Sequence, residues 1–106
     1  MSSYAVLWSE PGRPTRAGKL ELEPTGLRLE GSLGERGTRE VHRVFYEDVE
    51  SVHVGRANGE RIAGRPCLVL ELAVGGPLRI GSLQGLGVLS ELAEQLGHLT
   101  ATAVTL

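Results

Sequence analysis

The sequence predicts a mainly β fold, a small barrel or sandwich of seven antiparallel strands closed by one C-terminal helix. Three observations predict it. Apolar and polar residues alternate with period two in segment after segment. Gly-Gly and Pro-Thr-Gly mark tight reversals between such segments. Only one stretch, late in the chain, carries helical period. With 106 residues, 41% of them hydrophobic, the chain has material for one core. It is therefore read as a single domain, 1–106, with its core at about 4–97 and a tail at 98–106.

Tyr4 to Ser9 is the first strand, with Tyr4 and Trp8 on one face at even spacing. Four aromatic residues are all the chain has, so both are expected in the core rather than on a binding platform. Lys19-Leu20-Glu21-Leu22-Glu23 and Leu27-Arg28-Leu29-Glu30 alternate around Pro24-Thr25-Gly26, which makes 17–31 a hairpin. Arg39 to Phe45 and Val49 to Val54 are the next two strands. Cys67 to Leu72 follows, then Gly75-Gly76 as a hairpin turn and Leu78-Arg79-Ile80 as the return strand. Leu86, Leu89, Leu92, Ala93 and Leu96 fall at spacings of three and four, with Ser82 a candidate N-cap and Gly97 a candidate C′ residue. Leu89, Leu92 and Leu96 are expected to pack on the strands. The uncharged tail from Thr100 to Leu106 reads either as a short extra strand or as a frayed end.

Composition excludes several functions. A net charge of −2 and a pI near 5.9 argue against a generic nucleic-acid binder. No segment has the apolar length of a membrane span, and the N-terminus lacks the pattern of a secretory signal. One cysteine provides neither a disulfide nor a thiolate zinc site. Cys67 lies in a Leu/Val run and is read as a buried structural thiol in a reduced, cytoplasmic protein. Ten of the eleven basic residues are Arg and twelve of the thirteen acids are Glu, a bias expected of a GC-rich bacterial genome.

Catalytic and cofactor signals are sparse. There is no nucleophile elbow, no H-E-x-x-H and only one aspartate, Asp48. Gly85-Leu86-Gly87 opens a helix, but neither a following βαβ unit nor a Walker lysine accompanies it. His42 and His53 face each other if Glu47-Asp48 is a two-residue turn, and separate if the register shifts to pair Val44 with Val52. With no third ligand in sight, no metal and no cofactor are assigned.

Three segments resemble bacterial pleckstrin-homology-like and GRAM-like domains. Gly18 to Leu29 resembles their opening hairpin. Val44-Phe45-Tyr46-Glu47-Asp48-Val49-Glu50-Ser51-Val52 looks like their hydrophobic-Tyr-x-Asp-Ile-x-x-Val segment. Gly64 to Leu70 with Leu78-Arg79-Ile80 resembles the last strands before the helix. The resemblance implies two near-orthogonal antiparallel sheets with the helix plugging one end. It also implies a non-enzymatic module for a protein partner, an anionic membrane or peptide surface, or another copy of itself. Lipid-binding members carry lysine where the first strand here ends in Ser9-Glu10, so specific phosphoinositide recognition is not expected. The alternative is a small-ligand carrier using the barrel mouth, and an enzyme ranks third.

Charge arithmetic nominates a contact surface. Segments 10–19, 31–39 and 56–65 hold Arg13, Arg16, Lys19, Arg36, Arg39, Arg56, Arg61 and Arg65 against three acids, a net of +5. The rest of the chain carries −7. In an up-and-down meander these odd-numbered connections share one end, which is then expected to meet an anionic partner through arginine's bidentate fork.

Overall fold

The computed structural model describes residues 3–32, 39–55, 61–62, 64–100 and 104–105. Strands β1 (Ser3–Ser9), β2 (Arg16–Leu22), β3 (Gly26–Ser32), β4 (Glu40–Phe45), β5 (Val49–Gly55), β6 (Cys67–Leu72) and β7 (Gly76–Ser82) precede helix α1 (Leu86–Thr100) and a two-residue strand, β8 (Val104–Thr105). The hydrogen-bonded order is β4-β3-β2-β1-β7-β6-β5-β8. The first seven strands are antiparallel and curl into a half-barrel, while β8 runs parallel to β5.

The alternation read from the sequence sets the inner face. Tyr4, Val6 and Trp8 of β1 are buried with Leu20 and Leu22 of β2 and Leu27 and Leu29 of β3. Leu68 and Leu70 of β6 and Leu78 and Ile80 of β7 complete the layer. The expectation that Tyr4 and Trp8 are core residues is met, at 7% and 0% exposure. The missing side chain of Gly31 leaves room for the Trp8 ring. Gly18 pairs with Gly31, and a β-carbon at Gly31 would stand 2.8 Å from Trp8 Nε1. The β2–β3 reversal closes through Glu23 N–H on the Gly26 carbonyl at 2.9 Å. Gly75 and Gly76 turn β6 into β7 with φ of +98° and +78°, a region that disfavours a side chain.

Helix α1 covers one end of the half-barrel, burying Leu89, Leu92, Ala93 and Leu96 as its spacing predicts. Its limits differ from the expected ones. Ser82 Oγ accepts from Gln84 N–H at 3.0 Å and so turns the chain ahead of the helix. Gly97 lies inside the helix, which runs on to Thr100; there the Thr100 hydroxyl donates to the Leu96 carbonyl at 2.6 Å. Of the tail, Val104–Thr105 forms the extra strand.

The largest difference lies between β4 and β5. They are not a hairpin. A 3-10 turn at Tyr46–Asp48, tied by Tyr46 N–H to the Thr25 carbonyl, carries the chain from one sheet edge to the other. His42 therefore pairs with Leu29 and His53 with Val69, so neither register considered for the two histidines occurs.

A candidate partner-binding edge beside the arginine-rich loops

The β4–β5 crossover also rearranges the loops. The β1–β2 and β3–β4 connections share one end, as the pairs Trp8–Arg16 and Gly31–Glu40 require. The third connection departs from it. Because β5 does not return alongside β4, the next chain reversal emerges elsewhere. Arg65 shares a cleft with Ser82 and Leu86 near the start of α1. The Arg61 carbonyl accepts from Arg79 on β7 at 3.4 Å. The turn that does join the first loop is β6–β7, where a β-carbon on Gly76 would touch Pro11 at 3.4 Å. The expected single basic end thus holds Arg13, Arg16 and Arg39 but not Arg61 or Arg65. Arg36 and Arg56 lie outside the described residues.

Cross-strand pairing decides what these cations do. Arg16 is only 2% exposed, because the inward face of β2 carries it over the Trp8 ring. Its Nε pairs with Glu40 and its Nη1 with Glu10 at 3.4 Å. Lys19 pairs with Glu21 at 2.8 Å on the outer face. Arg28 bridges Glu21 and Glu30, and Arg39 bonds Glu30 at 2.5 Å. Five alternating charges thus form one lattice across β2, β3 and the start of β4. The Arg39 hydrogen bond, with the nearby charges of Arg28, Arg39 and Lys19, holds the Glu30 carboxyl below its ordinary range against the opposing effect of desolvation. Arg13 is exposed on the β1–β2 loop.

Beside this lattice, β4 ends the sheet. Its inner residues His42 and Val44 turn toward the core; the His42 ring stacks on Trp8 at 6.0 Å between centroids. Its outer residues are Val41, Arg43 and Phe45, all exposed, the first at 50% and the last at 55%. An open cleft of about 200 Å³ runs along this edge, with Val44 on one wall and Leu72, Val74 and Pro77 on the other. Tyr46 anchors the corner by donating to the Glu23 carbonyl at 2.5 Å. Burial, with help from the Glu23 charge, pushes the Tyr46 phenol up from its ordinary value.

Val41, Arg43 and Phe45 fall on a strand that the sequence predicts, with nothing in the sequence to single them out. Apolar residues sit on both faces of β4, so alternation alone does not tell which set faces water. Cys67 is buried against Ile62, Val69 and Leu7, on the outer side of β1 and β6. No group of three or more His, Cys, Asp or Glu side chains suited to a metal comes together among the described residues. No helix among them is long and apolar enough to cross a membrane.

No family model matches the sequence, and no curated protein matches it. Solved structures do match its shape. The hSac2 domain of the human phosphoinositide phosphatase Sac2 aligns with a TM-score of 0.75 at 13% identity, over 99% of this chain and 75% of that one. The C-terminal domain of an unknown protein from Leishmania infantum aligns with a TM-score of 0.67, also at 13% identity, over 96% of this chain and 84% of that one. At such identity the likeness speaks for the fold alone, and the fold is PH-like: seven antiparallel strands curled into a half-barrel with one C-terminal helix.

Proposed function

We propose that this domain is a non-catalytic interaction module that binds a protein partner along strand β4, starting from the end of the half-barrel that carries the β1–β2 loop. The observation that carries the reading is the exposure of Val41 and Phe45 on either side of Arg43, on the strand that ends the sheet among the described residues. Exposed apolar side chains grouped beside an arginine are characteristic of partner surfaces. Most described cations near this end, Arg16, Lys19, Arg28 and Arg39, already lie against Glu10, Glu21, Glu30 and Glu40. That pairing favours a protein over an anionic membrane, since an anion would have to displace existing carboxylates. The carrier reading has less support, because Trp8, Leu20, Leu29, Leu70 and Ile80 fill the interior.

The test is affinity capture from native extract by the wild type and by the double variant Val41→Glu, Phe45→Glu. Sedimentation with anionic and neutral vesicles runs in parallel at low and physiological salt. A partner held by the wild type and lost from the double variant, with no preference for anionic vesicles, supports the reading. Salt-screened vesicle binding abolished by charge reversal at Arg13 or Arg39 would replace it with the membrane alternative.

A further inference from the structure

The two sheet edges are treated differently. The edge of β5 is covered by β8 through the pairs Val52–Val104 and His53–Thr105. The edge of β4 has no strand beyond it among the described residues. In an antiparallel ladder every second residue of an edge strand turns its N–H and C=O away from its neighbour, leaving a row of groups ready to pair.

The side chains beside that row say what fits. On the outer face Val41 lies across from Glu30, Arg43 from Arg28 and Phe45 from Gly26. One strand further in, Arg28 lies across from Glu21. The central row therefore reads Glu21, Arg28, Arg43, with a like-charge pair at its open end. Arg28 is neutralised by Glu21 and Glu30, whereas no ion pair to Arg43 forms among the described residues. A further strand completes the row with a carboxylate opposite Arg43, and the rows of Val41 and Phe45 call for apolar neighbours.

We propose that the β4 edge is a strand-addition site for an extended polypeptide segment with one acidic residue and an apolar residue two positions away on each side. This deepens the protein-binding reading and rests on it. An added strand lies about 4.8 Å from β4, and its inward side chains enter the cleft between Val44 and Leu72. A second copy's β4 is a poor occupant. The register that pairs Val41 with Phe45 sets Arg43 against Arg43, and the neighbouring register sets Arg43 against Val41 and His42 against itself. The competing account makes Arg43 a gatekeeper that keeps the edge unpaired.

Fluorescence anisotropy of labelled peptides on the full chain separates these accounts. The probes are an eleven-residue peptide containing Val-Thr-Glu-Thr-Val, its Glu-to-Lys counterpart, and the acidic peptide N-methylated at alternate amides. The wild type should prefer the acidic over the lysine peptide by about fivefold to tenfold, the worth of turning a cross-strand attraction into a repulsion. Arg43→Glu, an exposed change whose folding is checked by circular dichroism, should invert that order. N-methylation on the pairing edge should abolish binding. Absence of binding by every peptide, or a preference that Arg43→Glu does not invert, overturns the strand-addition site. If a native partner is nevertheless lost from the Val41→Glu, Phe45→Glu variant, the protein-binding reading stands without it. If capture is also unchanged by that variant, both fall.

Discussion

The guanidinium carbon of Arg16 sits 4.7 Å from the centroid of the Trp8 ring, and Arg16 is only 2% exposed. A cation held there depends on its carboxylates. Removing Glu10 and Glu40 together leaves the charge uncompensated and should cost about 1–3 kcal/mol, less than for a fully buried pair because both carboxylates are partly exposed. Arg16→Met, which removes the charge and keeps the packing on Trp8, should change stability by less than about 1 kcal/mol in either direction. Urea unfolding of the two variants checks the asymmetry. Equal losses would mean that Arg16 acts through its charge rather than as a covered stem.

Leu92 is 1% exposed at the centre of the helical stripe that faces the sheet. Leu92→Ala should lose about 2–5 kcal/mol. A loss under about 1 kcal/mol would show that α1 is peripheral to the core.

Two glycine substitutions should act with opposite sign. A β-carbon at Gly18 would stand 1.9 Å from the backbone oxygen of Glu30, so Gly18→Ala must push two strands apart and should cost about 1–3 kcal/mol or more. At Gly87, in the first turn of α1, the same carbon meets nothing within 4 Å. Gly87→Ala should therefore stabilise by about 0.5 kcal/mol through helix propensity and a less flexible unfolded chain. Thermal melts of both variants decide the signs.

The Glu30 lattice gives a pH dependence with a definite direction. Its folded carboxyl titrates below the ordinary value of 4.5. The stabilisation it supplies is thus complete above that value and is lost as pH falls through the lower folded value. Unfolding curves from about pH 6 down to about pH 2 should show a shallower acid decline for Glu30→Gln than for the wild type. Identical slopes would contradict the assignment.

The strands were legible because period-two alternation is written wherever one sheet face is buried, as in Lys19–Glu23 and Cys67–Leu72. Trp8, Tyr4, Cys67 and the Leu89/Leu92/Leu96 stripe followed from the same logic. The corner at Tyr46–Asp48 was not legible. Glu47-Asp48 has the chemistry of a hairpin turn, and only the sheet order, with β1 between β2 and β7, shows that the chain changes edges there. That one misreading displaced Arg61 and Arg65 from the expected basic end. The pairing of Arg16 and Arg39 with glutamates was hidden for a related reason. Residues up to about two dozen positions apart meet only once the β2–β3–β4 register is known. Arg43 gave no signal by itself, since its distinction is the ion pair it does not form, among the described residues, at the end of the sheet.

The central claim is that partners meet this domain along β4. Site-specific photocrosslinking in the native cell tests it most directly, with p-benzoylphenylalanine replacing exposed Phe45 and, as a control on a different element, exposed Glu91 of α1. The account predicts a discrete crosslinked protein species from position 45, absent from position 91 and suppressed when Val41→Glu is added. Crosslinking that is equal at both positions, or found only at 91, would contradict it.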